Sequence, residues 1–290
     1  MSLTANERYV AANGLRFHLY DWGGTGRPLL LLHGLASNAR IWDLVAPLLA
    51  EHARVVAVDQ RGHGLSTAPD SGYGFERTAA DVAALIEALG FAQPVIAGHS
   101  WGANVAVEFA ARNPGGAAGL VLVDGGIFSP RSDGLSWEEA EKRLAPPRIA
   151  GTPRTQLLER IRGGDLAPYW RPEFEPIIMA GFAVAPDDTV APYLSFERHL
   201  QIVRALWEAD TPARFPEVTC PVLVLPALNG GAEQVAQKQE RVLAAVRRLP
   251  HGSVVWLEDS IHDVPLQRPE LVARAIVAFL DGLPAAGAAR

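Results

Sequence analysis

The stretch Pro94–Pro114, "PVIAGHSWGANVAVEFAARNP", passes from an apolar run into a helical pattern through Gly98-His99-Ser100-Trp101-Gly102, with a polar residue at the tightest point. If Val95–Ala97 is a buried strand and Trp101 begins a helix, the turn between them is so sharp that side chains beside it would collide with strand or helix. Glycine at 98 and 102 removes those collisions. Ser100 is then held proud of the C-terminal edge of a sheet. The backbone N–H of Trp101, at the positive end of the helix, points toward the atom that a serine there would attack.

Outward from this turn the same alternation recurs. "ERYVAANGLRFHLYDW" offers two strand-like runs joined by Asn13-Gly14, the pair that best tolerates the positive φ angles of a type I′ hairpin. Apolar runs at Pro28–Leu32, Arg54–Val58, Pro94–Ala97 and Gly119–Val123 then alternate with helix-like stretches at Asn38–Ala50, Glu76–Leu89 and Trp101–Arg112. Strand, helix, strand in succession implies an α/β fold with a parallel sheet. The order breaks at 128–215, which is rich in Pro, Arg and aromatics, with helical pieces and no clear strand. Within it Ser136 and Glu139 form a capping-box pattern, and Thr152-Pro153 opens a stretch that stops at Gly163-Gly164. "CPVLVLP", a helix-like Glu233–Arg248, "SVVWLED" and a last helix over Arg268–Leu280 resume the alternation. The expected layout is an α/β core of residues 1–127 and 216–290 with a helical cap at 128–215. The Ala/Gly-rich tail "LPAAGAAR" is expected to fray.

Composition narrows the function classes. With 290 residues, 49% of them apolar, the chain can bury one large core. A formal charge of −6 with acids and bases interspersed leaves no basic stripe for a phosphate backbone, so no nucleic-acid partner is expected. No window of about 18 uncharged apolar residues occurs and "MSLTANERYV" lacks a signal-peptide pattern, so no membrane association and a cytoplasmic protein are expected. Cys220 is the only cysteine, which excludes an internal disulfide and reads as core filler. No His-x-His or His-Glu-x-x-His spacing occurs, so no metal is expected. "DQRGHGLS" lacks the Gly-Lys-Ser/Thr ending of a P-loop, and "DWGGTGRP" precedes a strand where a dinucleotide fingerprint would precede a helix; no cofactor is expected.

A serine hydroxyl needs a base within hydrogen-bond reach and a group to orient that base. Of eight histidines, His18 lies in the hairpin, His52 and His251 fall at helix-end or turn positions, His199 sits in a cap helix, and His99 points away from so tight a turn. His262 differs. It lies in "EDSIHDVPLQRPE", after the last strand, where it reaches the same sheet edge as Ser100.

The chain thus resembles the α/β-hydrolase superfamily over nearly its whole length. The matching features are "LLLHGLAS" (Leu30–Ser37), "VVAVDQRGHGLS" (Val55–Ser66), "GHSWG" (Gly98–Gly102) and "IHDVPLQRPE" (Ile261–Glu270). The resemblance implies a mostly parallel eight-stranded sheet flanked by helices with an inserted cap, Ser100 as nucleophile and His262 as base. It also implies an oxyanion hole from the backbone N–H groups of Leu35 and Trp101, with the His33 ring orienting the loop. One feature departs from the family pattern. The usual triad acid follows the strand matching "CPVLVLP", and there Gly230 stands in "ALNGGAEQ", with Glu233 three residues on at a helix start. A minority of the superfamily carries the acid after the preceding strand, here "LVLVDGG", which ends in Asp124. Asp124 is therefore preferred to Glu233 and to a bare Ser-His dyad.

The implied reaction is acyl transfer from a small-molecule substrate to water, falling in rate as His262 gains a proton near its ordinary pKa of about 6.5. Relatives with Trp after the nucleophile often use Asp for alkyl-enzyme chemistry, which a serine does not suit. Ester or lactone hydrolysis is the primary expectation. Carbon–carbon hydrolysis of a diketone-like substrate and a weakly catalytic binding protein are the alternatives. Trp101, Trp137, Trp170, Phe182 and Trp207 are the candidate substrate contacts, with Arg131, Arg148 and Arg154 as possible carboxylate ligands. Nothing in the sequence indicates an oligomeric state.

Overall fold

Asn13 and Gly14 adopt φ angles of 46° and 72°, the two positive values a type I′ turn demands. They join β1 (Asn6–Ala12) to β2 (Leu15–Gly23) with Ala12 opposite Leu15. The structure is a computed structural model that describes residues 4–284. The end of the tail expected to fray, residues 285–290, lies outside them. The chain continues through β3 (Pro28–Leu32), α1 (Ala46–Leu49), β4 (Arg54–Val58), α2 (Phe75–Ala88), β5 (Val95–His99), α3 (Trp101–Arg112) and β6 (Gly119–Val123). The segment up to the next core strand contains α4 (Trp137–Leu144), β7 (Thr152–Pro153), α5 (Arg154–Arg162), α6 (Phe174–Met179), β8 (Phe182–Val184), β9 (Thr189–Pro192) and α7 (Phe196–Glu208). Then follow β10 (Val222–Leu225), α8 (Ala232–Val246), β11 (Gly252–Val254), α9 (Val264–Gln267) and α10 (Pro269–Gly282).

Eight strands form one sheet in the order β1-β2-β4-β3-β5-β6-β10-β11. The pairs β1·β2 and β2·β4 are antiparallel and the rest parallel. Period-two alternation sends neighbouring side chains to opposite faces. Leu30, Leu32, Val56, Val58, Ile96 and Leu122 join α2, α3 and α8 in one core. Leu29, Leu31, Val55, Ala57, Val95 and Val121 join α1, α9 and α10 in the other. Two buried faces explain why these strands read as unbroken apolar runs. Each fully buried Leu or Val contributes roughly 1.5–3 kcal/mol, against about 0–1 kcal/mol for an exposed ion pair. The two cores, and not the surface charges, hold the sheet. Among the described residues no helix is long and apolar enough to cross a membrane.

Three expectations are corrected. Asn38–Ala50 is not one helix but a 3₁₀ turn, Ala39–Trp42, followed by the four-residue α1. Pro47 has no N–H to give to Asp43 and ends any continuous ladder. In addition, the Ala39 N–H is drawn to Asp59 Oδ1 at 2.8 Å. The segment between β6 and β10 is not strandless: β7, β9 and β8 form a small antiparallel sheet, closed by a turn at Asp188 with φ of 62°. Thr152-Pro153, read as a helix start, is the strand β7, and its helix begins at Arg154 and stops at Gly163. The Ser136–Glu139 capping box forms at the head of α4.

The inserted segment is tied to loops at the C-terminal ends of the parallel strands. Asn38 Nδ2 donates to Ile177 O at 3.0 Å, Arg198 Nε to Pro69 O at 3.0 Å, and an Arg171 guanidinium N–H to Leu266 O at 2.7 Å.

Candidate active site

Ser100 connects β5 directly to α3 with φ of 52° and ψ of −122°, a conformation that costs a non-glycine residue about 1–3 kcal/mol. The neighbours make it attainable. A Cβ at Gly98 would lie 2.3 Å from Gly102 O, and one at Gly102 would lie 2.6 Å from Leu32 O. Only hydrogen at both positions lets helix and strand approach so closely. The Ser100 N–H donates to Val123 O at 2.9 Å, tying the turn to the end of β6.

At that end stands Asp124, also in the left-handed region with φ of 42°, which Asp tolerates better than most residues. A Cβ at the next residue, Gly125, would sit 2.1 Å from Ser100 O. The acid-bearing turn and the serine turn are therefore in direct backbone contact. His262 comes from the loop before α9. That loop is held by Ser260 N–H to Leu228 O at 2.9 Å, by Ile261 N–H to Gln267 Oε1 at 2.7 Å, and by His99 Nε2–H to the His262 carbonyl at 2.8 Å.

Three groups from three segments converge. His262 Nε2 lies 2.9 Å from Ser100 Oγ, and His262 Nδ1 lies 2.7 Å from Asp124 Oδ2. A carboxylate only accepts, so Nδ1 carries the proton and Nε2 is left as acceptor for the serine O–H. Asp124 Oδ1 accepts from the Ala227 N–H at 3.0 Å and from Lys238 Nζ at 2.8 Å. The carboxylate is 8% exposed, while the His262 side chain is 55% exposed.

The electrostatics follow from these partners. Burial disfavours the Asp124 charge, yet the His262 hydrogen bond and the Lys238 ammonium outweigh it and bring its pKa down to about 2. Burial likewise opposes charge on His262, but Asp124 overrides this and holds the imidazole above its ordinary value. The expectation of titration near the unperturbed value is corrected upward. His99, whose ring centroid is 4.9 Å from that of His262, is pushed down to about 4 by its burial and by the neighbouring imidazole, and stays neutral.

Glu233 is exposed, bonds Gln237 Nε2 at 3.3 Å and does not reach His262. Gly230 has φ of 109° and carries nothing toward the site.

The loop after β3 lies against the serine: a Cβ at Gly34 would be 3.0 Å from Ser100 Cβ. His33 holds this loop from beneath, its Nε2 accepting from the Gln60 N–H at 3.0 Å and its Nδ1–H donating to Gly34 O at 2.7 Å. The Ala36 N–H is taken by His63 Nε2 at 3.3 Å. Among the described residues the N–H groups of Leu35 and Trp101 have no hydrogen-bond acceptor. Two amides beside the serine are thus open to a ligand oxygen.

A cavity of about 430 Å³ is lined by this loop, His63 and the inserted segment, and a second of about 260 Å³, also lined by Ala36, Ser37 and Phe182, reaches Leu35 and Asp263. Neither is lined by Ser100 itself. Of the five aromatic residues expected to meet substrate, only Phe182 lines these cavities, and it lines both. The Trp101 indole is buried and stacks on His63 at 5.4 Å. Trp137 and Trp207 pack edge to face at 6.0 Å, with Arg204 over both rings and Arg131 over Trp207. Trp170 packs edge to face on Phe174 at 5.8 Å. Those four rings serve packing and line neither cavity. Arg154 pairs with Asp188 at 3.0 Å. Arg148 lines the larger cavity, its guanidinium 3.8 Å from the Phe196 ring centroid.

Two contributors escaped the sequence reading. His63 fixes the loop through Ala36. Lys238 is the one charged member of an inward stripe on α8 that includes Val235, Val242 and Ala245, and a lone charge on an apolar stripe was the available signal. Among the described residues no group of three or more His, Cys, Asp or Glu side chains could hold a metal ion.

Residues 29–275 match the model of the alpha/beta hydrolase family. The chain is 30% identical over 281 residues to N-formylmaleamate deformylase of Pseudomonas putida, covering 94% of this chain and 95% of that one. It is 31% identical over 264 residues to 2-(acetamidomethylene)succinate hydrolase of Mesorhizobium japonicum, covering 89% of each. A crystal structure of E-2-(acetamidomethylene)succinate hydrolase superposes with a TM-score of 0.78 at 26% identity, over 96% of this chain and all of the other.

Proposed function

Because this chain belongs to the alpha/beta hydrolase family, we propose that it is a serine hydrolase that transfers an acyl group from a moderately apolar carboxylic ester or lactone to water through an acyl-enzyme on Ser100. The observation that carries the reading is the relay at 2.9 and 2.7 Å from Ser100 Oγ through His262 to Asp124. Ser100 Oγ attacks the carbonyl carbon while its proton passes to His262 Nε2. The developing oxyanion takes hydrogen bonds from the N–H groups of Leu35 and Trp101, which need no reorganisation to receive it. The tetrahedral species collapses and the leaving alkoxide takes the proton from His262. Water, deprotonated by the same nitrogen, then attacks the acyl carbon, and its proton returns to Ser100 Oγ as the acid departs. Asp124 keeps the Nδ1 proton in place throughout and stabilises the transient imidazolium.

The mostly apolar lining of the two cavities beside the loop, with Arg148 and Asp263 among it, supports a moderately apolar ester or lactone. A second reading is favoured by the two relatives, whose names specify an N-formyl and an acetamido compound, both carboxylates. On that reading the bond cleaved is an N-acyl bond of an acidic substrate.

The test has two stages. A fluorophosphonate probe should label the wild-type chain and leave S100A unlabelled, and p-nitrophenyl acetate turnover should fall by about 10⁵ or more in S100A. Retained turnover in S100A overturns the proposal, and labelling without turnover on any acyl substrate marks a binding protein. Comparing kcat/KM for p-nitrophenyl acetate, a γ-lactone and an N-formyl or N-acetyl carboxylate then separates the two bond classes.

A further inference from the structure

We infer that Lys238 is a positioning residue for the proposed hydrolysis: its ammonium fixes Asp124 Oδ1 so that Oδ2 faces His262. The inference rests on the reading of Ser100, His262 and Asp124 given above.

The geometry assigns each Asp124 oxygen a separate task. Oδ2 meets only His262 Nδ1, at 2.7 Å, while Oδ1 meets two donors, Lys238 Nζ at 2.8 Å and the Ala227 N–H at 3.0 Å. A carboxylate with one partner can swing about its terminal bond, whose torsion is broad. Two donors on one oxygen fix the plane and hence the direction of the other oxygen. The Ala227 amide comes from the turn after β10, where the acid would ordinarily stand. The lysine comes from α8, the helix that follows that turn. Both parts of the region that lacks the usual carboxylate thus hold the substitute in place.

The helix register aims the lysine inward. Val242 and Ala245, four and seven residues on, are buried in the core shared with α3, and this spacing places Lys238 on the same stripe. Its side chain is 29% exposed and its partner carboxylate 8%. Burying a lysine on an apolar stripe costs desolvation that packing alone does not return.

The charge has a second effect. The groups facing the relay are Asp124 from the turn after β6, His99 from β5, Lys238 from α8, and Asp263 beside His262. Asp124 and Asp263 favour the imidazolium, while Lys238 opposes it. Removing Lys238 leaves Asp124 ionised and takes away a cation close to the imidazole, so His262 should bind its proton more tightly. Because the ammonium and the imidazole meet the same carboxylate, the shift should be upward and on the order of one pH unit. A lysine that only packed α8 would leave the titration untouched.

The experiment compares wild type, K238M, K238Q and K238R by the pH profile of kcat/KM for p-nitrophenyl acetate. The His262 ring is titrated by NMR alongside. K238M should move the acid limb and the ring titration up by about one unit and lower kcat about tenfold, with KM little changed. K238Q, which keeps a hydrogen-bond donor without the charge, should shift equally but retain more of kcat. K238R should lie near wild type. Melting temperatures report whether each variant folds, and K238Q carries the test if K238M does not. The inference is overturned if both neutral variants titrate as wild type while only their melting temperatures fall. S100A serves as the separate control: activity surviving in S100A defeats the hydrolase reading, whereas an inactive S100A beside an unshifted K238M defeats only the role of Lys238.

Discussion

Replacing Asp124 by Asn tests the proposed relay at its most informative point, because the structure dictates how the amide would turn. The Ala227 N–H and Lys238 Nζ both donate to Oδ1, and only the amide oxygen can serve two donors. The NH₂ group is thereby directed at His262 Nδ1, which must now accept. The ring proton moves to Nε2, 2.9 Å from Ser100 Oγ, and the lone pair that should take the serine proton is gone. A wrong tautomer of this kind costs about 10⁴ in kcat in the serine-protease precedent, which corresponds to about 5.5 kcal/mol of barrier. D124N should therefore lose about 10³–10⁴ in p-nitrophenyl acetate turnover while the amide preserves the contacts to Ala227 and Lys238 and the fold survives by circular dichroism. E233Q, altering an exposed side chain bound only to Gln237, should stay within about twofold of wild type, as surface changes do. A D124N variant within tenfold of wild type refutes the reasoning, and a collapse of E233Q in its place moves the acid to Glu233.

Two further outcomes follow from contacts already described. His262 is held above its ordinary pKa by Asp124 and must be neutral to accept a proton, so kcat/KM should fall as pH drops through a value above about 6.5. By linkage the protonated ring stabilises the fold fully below the unfolded value of about 6.5, and that contribution is lost as pH rises through the folded value. Activity should rise over the same interval in which the melting temperature declines, and an acid limb at pH 6 or below contradicts the assignment. In G125A the new methyl would lie 2.1 Å from Ser100 O. Relief requires a backbone shift at the serine turn, with a stability loss of about 1–3 kcal/mol and a loss of kcat of about 10² or more; near-normal turnover of a purified G125A protein would show the contact to be yielding.

What could be read from the sequence was whatever the backbone imposes locally. A type I′ turn needs two positive φ angles and announces itself as Asn13-Gly14. Close approach of β5 and α3 needs glycine at 98 and 102. Strands buried on both faces read as apolar runs. The features that escaped depend on partners distant in the chain or on segments too short for a period. Lys238 meets Asp124 across 114 residues, and nothing near Lys238 in sequence reveals that pairing. The strands β7, β8 and β9 have two to four residues each, below the length at which alternation can be recognised. In Asn38–Ala50 the break at Pro47 is visible in the sequence, but the claim of Asp59 on the Ala39 N–H, which turns its start into a 3₁₀ turn, is tertiary. The aromatic residues at 137, 170 and 207 suggest a substrate roof by composition alone, which does not distinguish rings that face a cavity from rings that face one another.

Since the carboxylate stands in the turn after β6, the stretch Leu228–Gly231 offers no side chain to the relay, and only its flanks, Ala227 before it and α8 after it, are bound to Asp124. Asn229 is exposed, so a peptide graft or a tether placed there would leave the side chains of the relay in place, provided that α8 keeps its seat and the Leu228 carbonyl keeps its hold on Ser260. In an enzyme with its acid in that turn, the same graft would sever the relay.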